Sequence, residues 1–173
     1  FVAQYGEAET VTLAEALNQP APLDLRVNSI KATRDDVMNE LAQAPIAAEP
    51  MPFAPLGLRV HKKPSLQNLP LFKSGAIEVQ DEGSQVLSQI VGAKRGEMVV
   101  DFCAGAGGKT LALGALMRNT GRLYAFDVSE KRLAKLKPRL ARSGLSNVHP
   151  VQIAHERDAK IKRLAGKIDR VLV

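Results

Sequence analysis

From residue 81 onward the chain alternates short apolar runs with helical periods, and that alternation leaves few folds open. The segment 81-DEGSQVLSQIVG-92 predicts a helix with Val86, Leu87, Ile90 and Val91 on its apolar side and Gly92 past its end. Then come a buried strand at 97-EMVVDFC-103, a glycine loop over 104–108 and a helix over 109–119. A strand at 121-GRLYAFDV-128, a helix over 129–144, a strand over 148–153, a helix near 156–165 and a strand at 168-IDRVLV-173 follow. Strands separated by helices of this length predict an α/β fold with a doubly wound parallel sheet. In such sheets reactive groups gather just past the carboxyl ends of the strands. Four steps make an incomplete sheet, and the last apolar run has no loop after it. The sequence is therefore expected to be part of a longer protein, with some of its active site elsewhere.

The earlier residues have another character. Eight of the ten prolines lie before residue 71, whereas the loop glycines lie after 82. The shift divides the chain into a small α+β unit over 1–78 and the parallel α/β unit over 79–173. In the first, 23-LDLRVNSI-30 alternates apolar and polar residues and predicts a half-buried strand. The segment 33-TRDDVMNELAQA-44 opens on Thr33 with Asp36 three residues on, an approximate capping box, and carries Val37, Leu41 and Ala44 on one helical face. A proline-punctuated loop over 45–55, a strand at 57-GLRVH-61 and an apolar stretch over 66–72 complete it.

With 45% hydrophobic and 24% charged residues the composition is that of a soluble globular protein. No run approaches the roughly 18 apolar residues of a membrane span. The N-terminal FVAQYGEAET has no basic start and no apolar core, so no secretory signal is expected there and the cytoplasm is the expected compartment. A single cysteine excludes an internal disulfide and a cysteine zinc cluster; no metal is expected, and nothing calls for more than a monomer. The net charge of +6 is uneven: residues 1–80 carry 7 Lys and Arg against 9 Asp and Glu, residues 81–173 carry 17 against 9. Such asymmetry points to an anionic partner, nucleic acid first. The stretch 131-KRLAKLKPRLAR-142, with six cations and no acid, fits a solvated helix face over an inward stripe of Leu133, Leu136 and Leu140.

The loop 101-DFCAGAGGKT-110 is where chemistry is expected. A triphosphate loop needs a glycine at position 103, where Cys103 stands. A dinucleotide fingerprint needs a third glycine at 110, where Thr110 stands, expected instead to start the helix. What fits is a strand-end acid, three residues and Gly-x-Gly: Asp101, Gly105, Gly107. The next strand ends in Asp127, twenty residues after Gly107, where a carboxylate can take ribose hydroxyls. This suits a nucleoside without a pyrophosphate, most simply S-adenosylmethionine.

The run from VQDEGSQ to SGLSNV, with 101–110 at its centre, resembles the RNA (cytosine-5) methyltransferases of the bacterial RsmB/Fmu (Sun) type. The segment 80-QDEGSQ-85 resembles the family's Gln-Asp-x-Ser-Ser-Gln, and 25-LRVNSIKATRDDV-37 its RNA-contacting N-terminal appendage. The resemblance implies a Rossmann-like methyltransferase sheet and methyl transfer from S-adenosylmethionine to C5 of cytosine in RNA, ribosomal RNA foremost. A cysteine thiolate would add to C6 of the unstacked base. It further implies that Cys103, Ala104, Gly105, Ala106, Gly107, Gly108 and Lys109 cradle the cofactor, that Asp127 holds its ribose and that Val128 lies against its adenine. The family's acid after the third strand is not plainly matched by 153-IAHERDAK-160, and Asp158 is taken for it. Arg26, Lys31 and Arg34 are the RNA-contact candidates. Cys103 is expected to be a buried loop residue. The family's working cysteines lie in motifs that would follow 169-DRVLV-173, so no catalytic residue is assigned in this chain. Two alternatives stay open: an RNA-binding protein with a non-catalytic cofactor domain, and a Rossmann-like methyltransferase with another substrate.

Overall fold

The computed structural model describes residues 1–61 and 64–173. Two helices unanticipated from sequence, α1 (Val2–Tyr5) and α2 (Glu7–Leu17), open the chain, and neither buries a residue. The strand β1 (Leu23–Val27) follows, then α3 (Arg34–Gln43), β2 (Ala48–Pro50) and β3 (Gly57–Val60). After a 3-10 turn at Leu66–Asn68 come α4 (Pro70–Lys73) and β4 (Ile77–Val79). The four strands form an antiparallel sheet in the order β2-β3-β1-β4. Leu25, Val27, Leu58, Val60 and Ile77 pack with Val37 and Leu41 of α3 as its core. The start of α3 is fixed by the expected box: Thr33 Oγ1 accepts from Asp36 N, and Asp36 Oδ2 accepts from Thr33 N, each at 3.2 Å. The strand β2 falls inside the expected proline loop. Pro50 is tolerated because β2 is the sheet's outer strand.

The second unit comprises α5 (Glu82–Val91), β5 (Met98–Asp101), α6 (Gly108–Leu116), β6 (Arg122–Asp127), α7 (Glu130–Ser143), β7 (Val148–Gln152), α8 (Ala159–Lys162) and β8 (Arg170–Leu172). Its strands are all parallel, in the order β7-β6-β5-β8. Leu111 and Leu113 of α6 with Met117 at its end, Leu133 and Leu136 of α7 and Val99 and Leu123 of the sheet are in its main core. A smaller cluster of Val100, Phe126 and Ile153 lies apart from it, with Ile161 and Leu164 against it. The helix expected over 156–165 shrinks to the four residues of α8, after which the chain continues in turns. Among the described residues no helix is long and apolar enough to cross a membrane.

The expectation for β1 is overturned in one respect: its polar side is buried too, with Asp24 at 5% and Arg26 at 4% exposure. That side meets the second unit or takes a dedicated partner. Asp24 pairs with Arg59 at 2.9 Å, and Arg26 Nε donates to Gln80 Oε1 at 2.6 Å. Just past β1, Asn28 Nδ2 donates to Ser143 O at 2.9 Å and to Gly75 O at 3.0 Å. Glu78 of β4, 3% exposed, receives Arg139 at 2.9 Å and Arg142 at 2.8 Å from α7. Lys31 Nζ donates to Arg142 O at 2.6 Å and to Ser74 O at 2.5 Å. The units touch so closely that a side chain on Gly75 would begin 2.1 Å from Arg142 O. The β4 strand and the Gln80 N–H bond to Asp24 O carry the first sheet past the expected boundary at 78.

Candidate functional site

The apolar run of β5 ends in Asp101, and the glycines that follow let the chain turn sharply into α6. Beside that turn lies a cleft of about 320 Å³. Asp101, Cys103 and Ala104 reach it from β5, Gly108 and Lys109 from α6, Leu172 and Val173 from the end of β8, and Gln80, Asp81 and Ser84 from the start of α5. Because β6 lies on one side of β5 and β8 on the other, this is the point where strand order reverses, the standard place for a ligand in an open α/β sheet.

Besides backbone bonds such as Ala104 N to Phe126 O at 2.8 Å, side chains hold the loop. Gly105 N donates to Asp127 Oδ2 at 2.8 Å, which ties the ends of β5 and β6 together. Arg139 Nη1 donates to Ala106 O at 2.8 Å. Thr110 Oγ1 donates to Asp101 Oδ2 at 2.6 Å. Thr110 therefore does not start α6; it sits in the first turn, fully buried, and holds the strand-end acid. Burial lifts the Asp101 carboxyl above its ordinary 3.8, while the Thr110 hydrogen bond and Lys109 pull the other way. Asp127, 4% exposed, also accepts from Ser129 N through Oδ1 at 2.7 Å, and Arg132 stands 3.9 Å from Oδ2.

The two loop glycines serve different ends. Gly107, at φ 82°, lies on α7, and a Cβ there would begin 2.1 Å from Leu136 Cδ1. Gly105, at φ 56°, has only Asp127 Oδ2 at 4.0 Å near its missing Cβ, so its surface is open to a ligand.

Several expected residues sit elsewhere or do something else. Cys103 is exposed in the cleft, not buried, because the turn points it away from the core. Val128 is 60% exposed beside Asp127, available to an apolar face. Asp158 caps α8: Oδ2 accepts from Ala154 N and Oδ1 from Lys160 N, both at 2.9 Å, and these hydrogen bonds hold it below the ordinary aspartate range. Arg26 cannot reach phosphates because it is buried on Gln80, and Lys31 is occupied by two backbone carbonyls. Arg34 makes no hydrogen bond or ion pair among the described residues. The α7 cations also divide: Lys131, Arg132, Lys135 and Lys137 are exposed, while Arg139 and Arg142 turn inward to Glu78. Sequence reasoning passed over Gln80, Asp81 and Ser84 as site residues; the segment 80–85 was the available signal.

Fold and cleft together define a class: a methyltransferase-like parallel α/β domain preceded by a ferredoxin-like antiparallel sheet. A family model described as 16S rRNA methyltransferase RsmB/F matches residues 88–173. A second, described as the Methyltr_RsmF/B-like ferredoxin-like domain, matches residues 1–67. The chain belongs to the RsmB/F family. It is 37% identical over 149 residues to the probable ribosomal RNA small subunit methyltransferase B of Synechocystis sp., a match that covers 86% of this chain and 33% of that protein. The chain thus spans about a third of the length of the curated relatives it matches. A methyltransferase homolog protein from Pyrococcus horikoshii superposes with TM-score 0.86 at 34% identity, over 98% of this chain and 54% of that one. NSun6 from Pyrococcus horikoshii, solved with SFG, superposes with TM-score 0.88 at 21% identity, over 99% of this chain and 67% of that one, and shares the fold.

Proposed function

We propose that this chain forms the cofactor-binding part and the N-terminal appendage of an S-adenosylmethionine-dependent methyltransferase that modifies C5 of a cytosine in ribosomal RNA. The observation that carries the reading is the Gly105 turn at the strand-order reversal, open on its ligand side and latched to Asp127. Family membership and the relatives' names support the choice of RNA.

S-adenosylmethionine, when bound, supplies a methyl group on a sulfonium centre. The chain's own residues hold and orient it. The open backbone at Gly105 lets a ligand approach closely. Asp127 keeps acceptor capacity after its two backbone bonds, since a carboxylate offers about four lone-pair sites, and takes the ribose hydroxyls. Exposed Val128 lies against the adenine. Asp101, kept in place by Thr110, meets the ammonium of the amino-acid end. Modifying C5 also needs a thiolate that adds to C6, departing again once the C5 proton is lost. Neither that thiolate nor the proton acceptor is assigned among these residues, and Cys103 belongs to the cofactor loop in this reading. Arg34 remains the appendage's candidate for a phosphate.

The test is methylation by the full-length protein of small-subunit ribosomal RNA lacking the modification, with nucleoside analysis of the product. 5-Methylcytosine is expected. A different methylated nucleoside, or none with cofactor binding intact, overturns the assignment.

A further inference from the structure

Gln80 joins β4 to α5 and is only 6% exposed. Its N–H donates to Asp24 O at 3.0 Å, and its carbonyl accepts from Gln85 Nε2 at 2.8 Å. Its side-chain oxygen accepts from Arg26 Nε at 2.6 Å. Its Nε2, buried, has no partner. The orientation of the amide is not arbitrary. Arginine only donates, so the atom facing Arg26 is the oxygen and the NH₂ faces away. Gln80 lines the cleft, and Nε2 lies 3.9 Å from the point where a side chain on Gly108 would begin. A buried donor without an acceptor requires an explanation, and here the open side is a ligand cleft.

Its surroundings set the charge of the missing acceptor. The helix α6 starts beside it, and no side chain caps that first turn. The N–H groups of Gly108, Lys109 and Thr110 therefore lack intrahelical partners and carry the positive end of the helix dipole. Lys109 lines the same cleft. Behind Gln80 stands Arg26, whose guanidinium burial lowers to about 10 with Glu78 opposing, still a cation at neutral pH. The nearby acids have partners: Asp81 accepts from Ser84 N and Asp101 from Thr110.

We infer that Gln80 binds a carboxylate through Nε2, together with the first turn of α6, and that Arg26 is the positioning residue that aims it. This rests on the cofactor reading above, in which the carboxylate belongs to the amino-acid end of the nucleoside. Asp101 at one side and Gln80 at the other then read that end as a zwitterion. The cleft is selective for a nucleoside that keeps its amino acid.

Calorimetry with two probes tests this. S-adenosylhomocysteine carries the carboxylate; 5′-methylthioadenosine lacks the whole amino-acid end. Gln80→Leu is expected to weaken the first roughly tenfold and to leave the second unchanged. Gln80→Glu, alike in shape but repelling a carboxylate, is expected to lose more on the first and nothing on the second. Should the leucine variant fail to fold, the glutamate variant's ratio decides. Equal losses on both probes, or none on S-adenosylhomocysteine, overturn the inference while the cofactor reading stands. A loss of RNA binding alone gives Nε2 to the base and also overturns it. Wild-type protein that binds neither probe overturns the cofactor reading itself and this inference with it.

Discussion

At the scale of single residues, the loop's two glycines separate packing from ligand access. Gly107→Ala places a methyl group on Leu136 in a left-handed backbone and is expected to cost about 2–4 kcal/mol. Gly105→Ala meets no such neighbour and is expected to cost about 1 kcal/mol of stability. Urea midpoints measure both, and equal losses would refute the packing account. Asp127→Ala is expected to weaken S-adenosylmethionine binding by about 1–3 kcal/mol, the scale of lost charged hydrogen bonds. Unchanged affinity by calorimetry would remove it as the ribose ligand. Asp101 sets a pH dependence. Its carboxyl is raised by burial, so it takes up a proton at higher pH than an ordinary aspartate. A protonated Asp101 no longer attracts an ammonium, and cofactor affinity should fall on acidification through that raised value. Asp101→Asn should flatten the profile as well as lower it.

At the scale of elements, α3 shows how much a local pattern can specify. Removing its cap with Thr33→Ala is expected to cost about 1 kcal/mol. The Thr33 hydrogen bonds hold Asp36 below its ordinary 3.8. A depressed carboxylate contributes stability that is present above 3.8 and lost as pH falls through the lower folded value. In acid titrations Asp36→Asn should remove part of the stability loss below about pH 4. That cap, the α7 period and the parallel strands were legible, because each is written in neighbouring residues; the expected apolar side of α5 was not borne out, since Leu87 and Ile90 are exposed while Gln85 and Ser88 turn inward. The burial of Asp24 and Arg26 was not: alternation tells which residues differ in polarity, and a polar face reads as solvated until its tertiary partners are known. Arg26 and Lys31 were read as RNA contacts from the family resemblance of their segment, and their acceptors lie 54 and 43 or more positions away in sequence. In the site, Asp101, Gly105 and Asp127 were visible as a spacing. Gln80 was not, because its role depends on Arg26 and on an α6 turn that only folding brings beside it. Asp158 has a structural role that the sequence reading did not include, because an acid at a helix start serves the nearest N–H groups first.

At the scale of the molecule, a buried carboxylate is among the contacts that tie the antiparallel sheet to α7. Glu78 takes both Arg139 and Arg142, and Arg139 also holds the loop at Ala106 O. Glu78→Gln leaves two guanidinium groups without a counter-charge and is expected to cost about 3 kcal/mol. Because Arg139 touches the loop, the same variant should also weaken cofactor binding; a stability loss with affinity untouched would separate junction from site. Under the proposed function, RNA binding through Arg34 and the solvated cations of α7 is expected to fall steeply with salt. A flat response would point to a partner other than nucleic acid.

Gly75 has a consequence for how this chain can vary. A side chain there would begin inside the Arg142 carbonyl, at a backbone angle of φ 75°, and the obstacle is main chain that no rotamer change can clear. In a saturation library selected for folded protein, position 75 should return glycine alone. Gly96 and Gly166 have no atom within 4 Å of their missing Cβ and should accept asparagine or aspartate. The spacing between the first sheet and α7 is thus written at a position outside the cleft, and a substitution there would read in a functional screen as loss of activity.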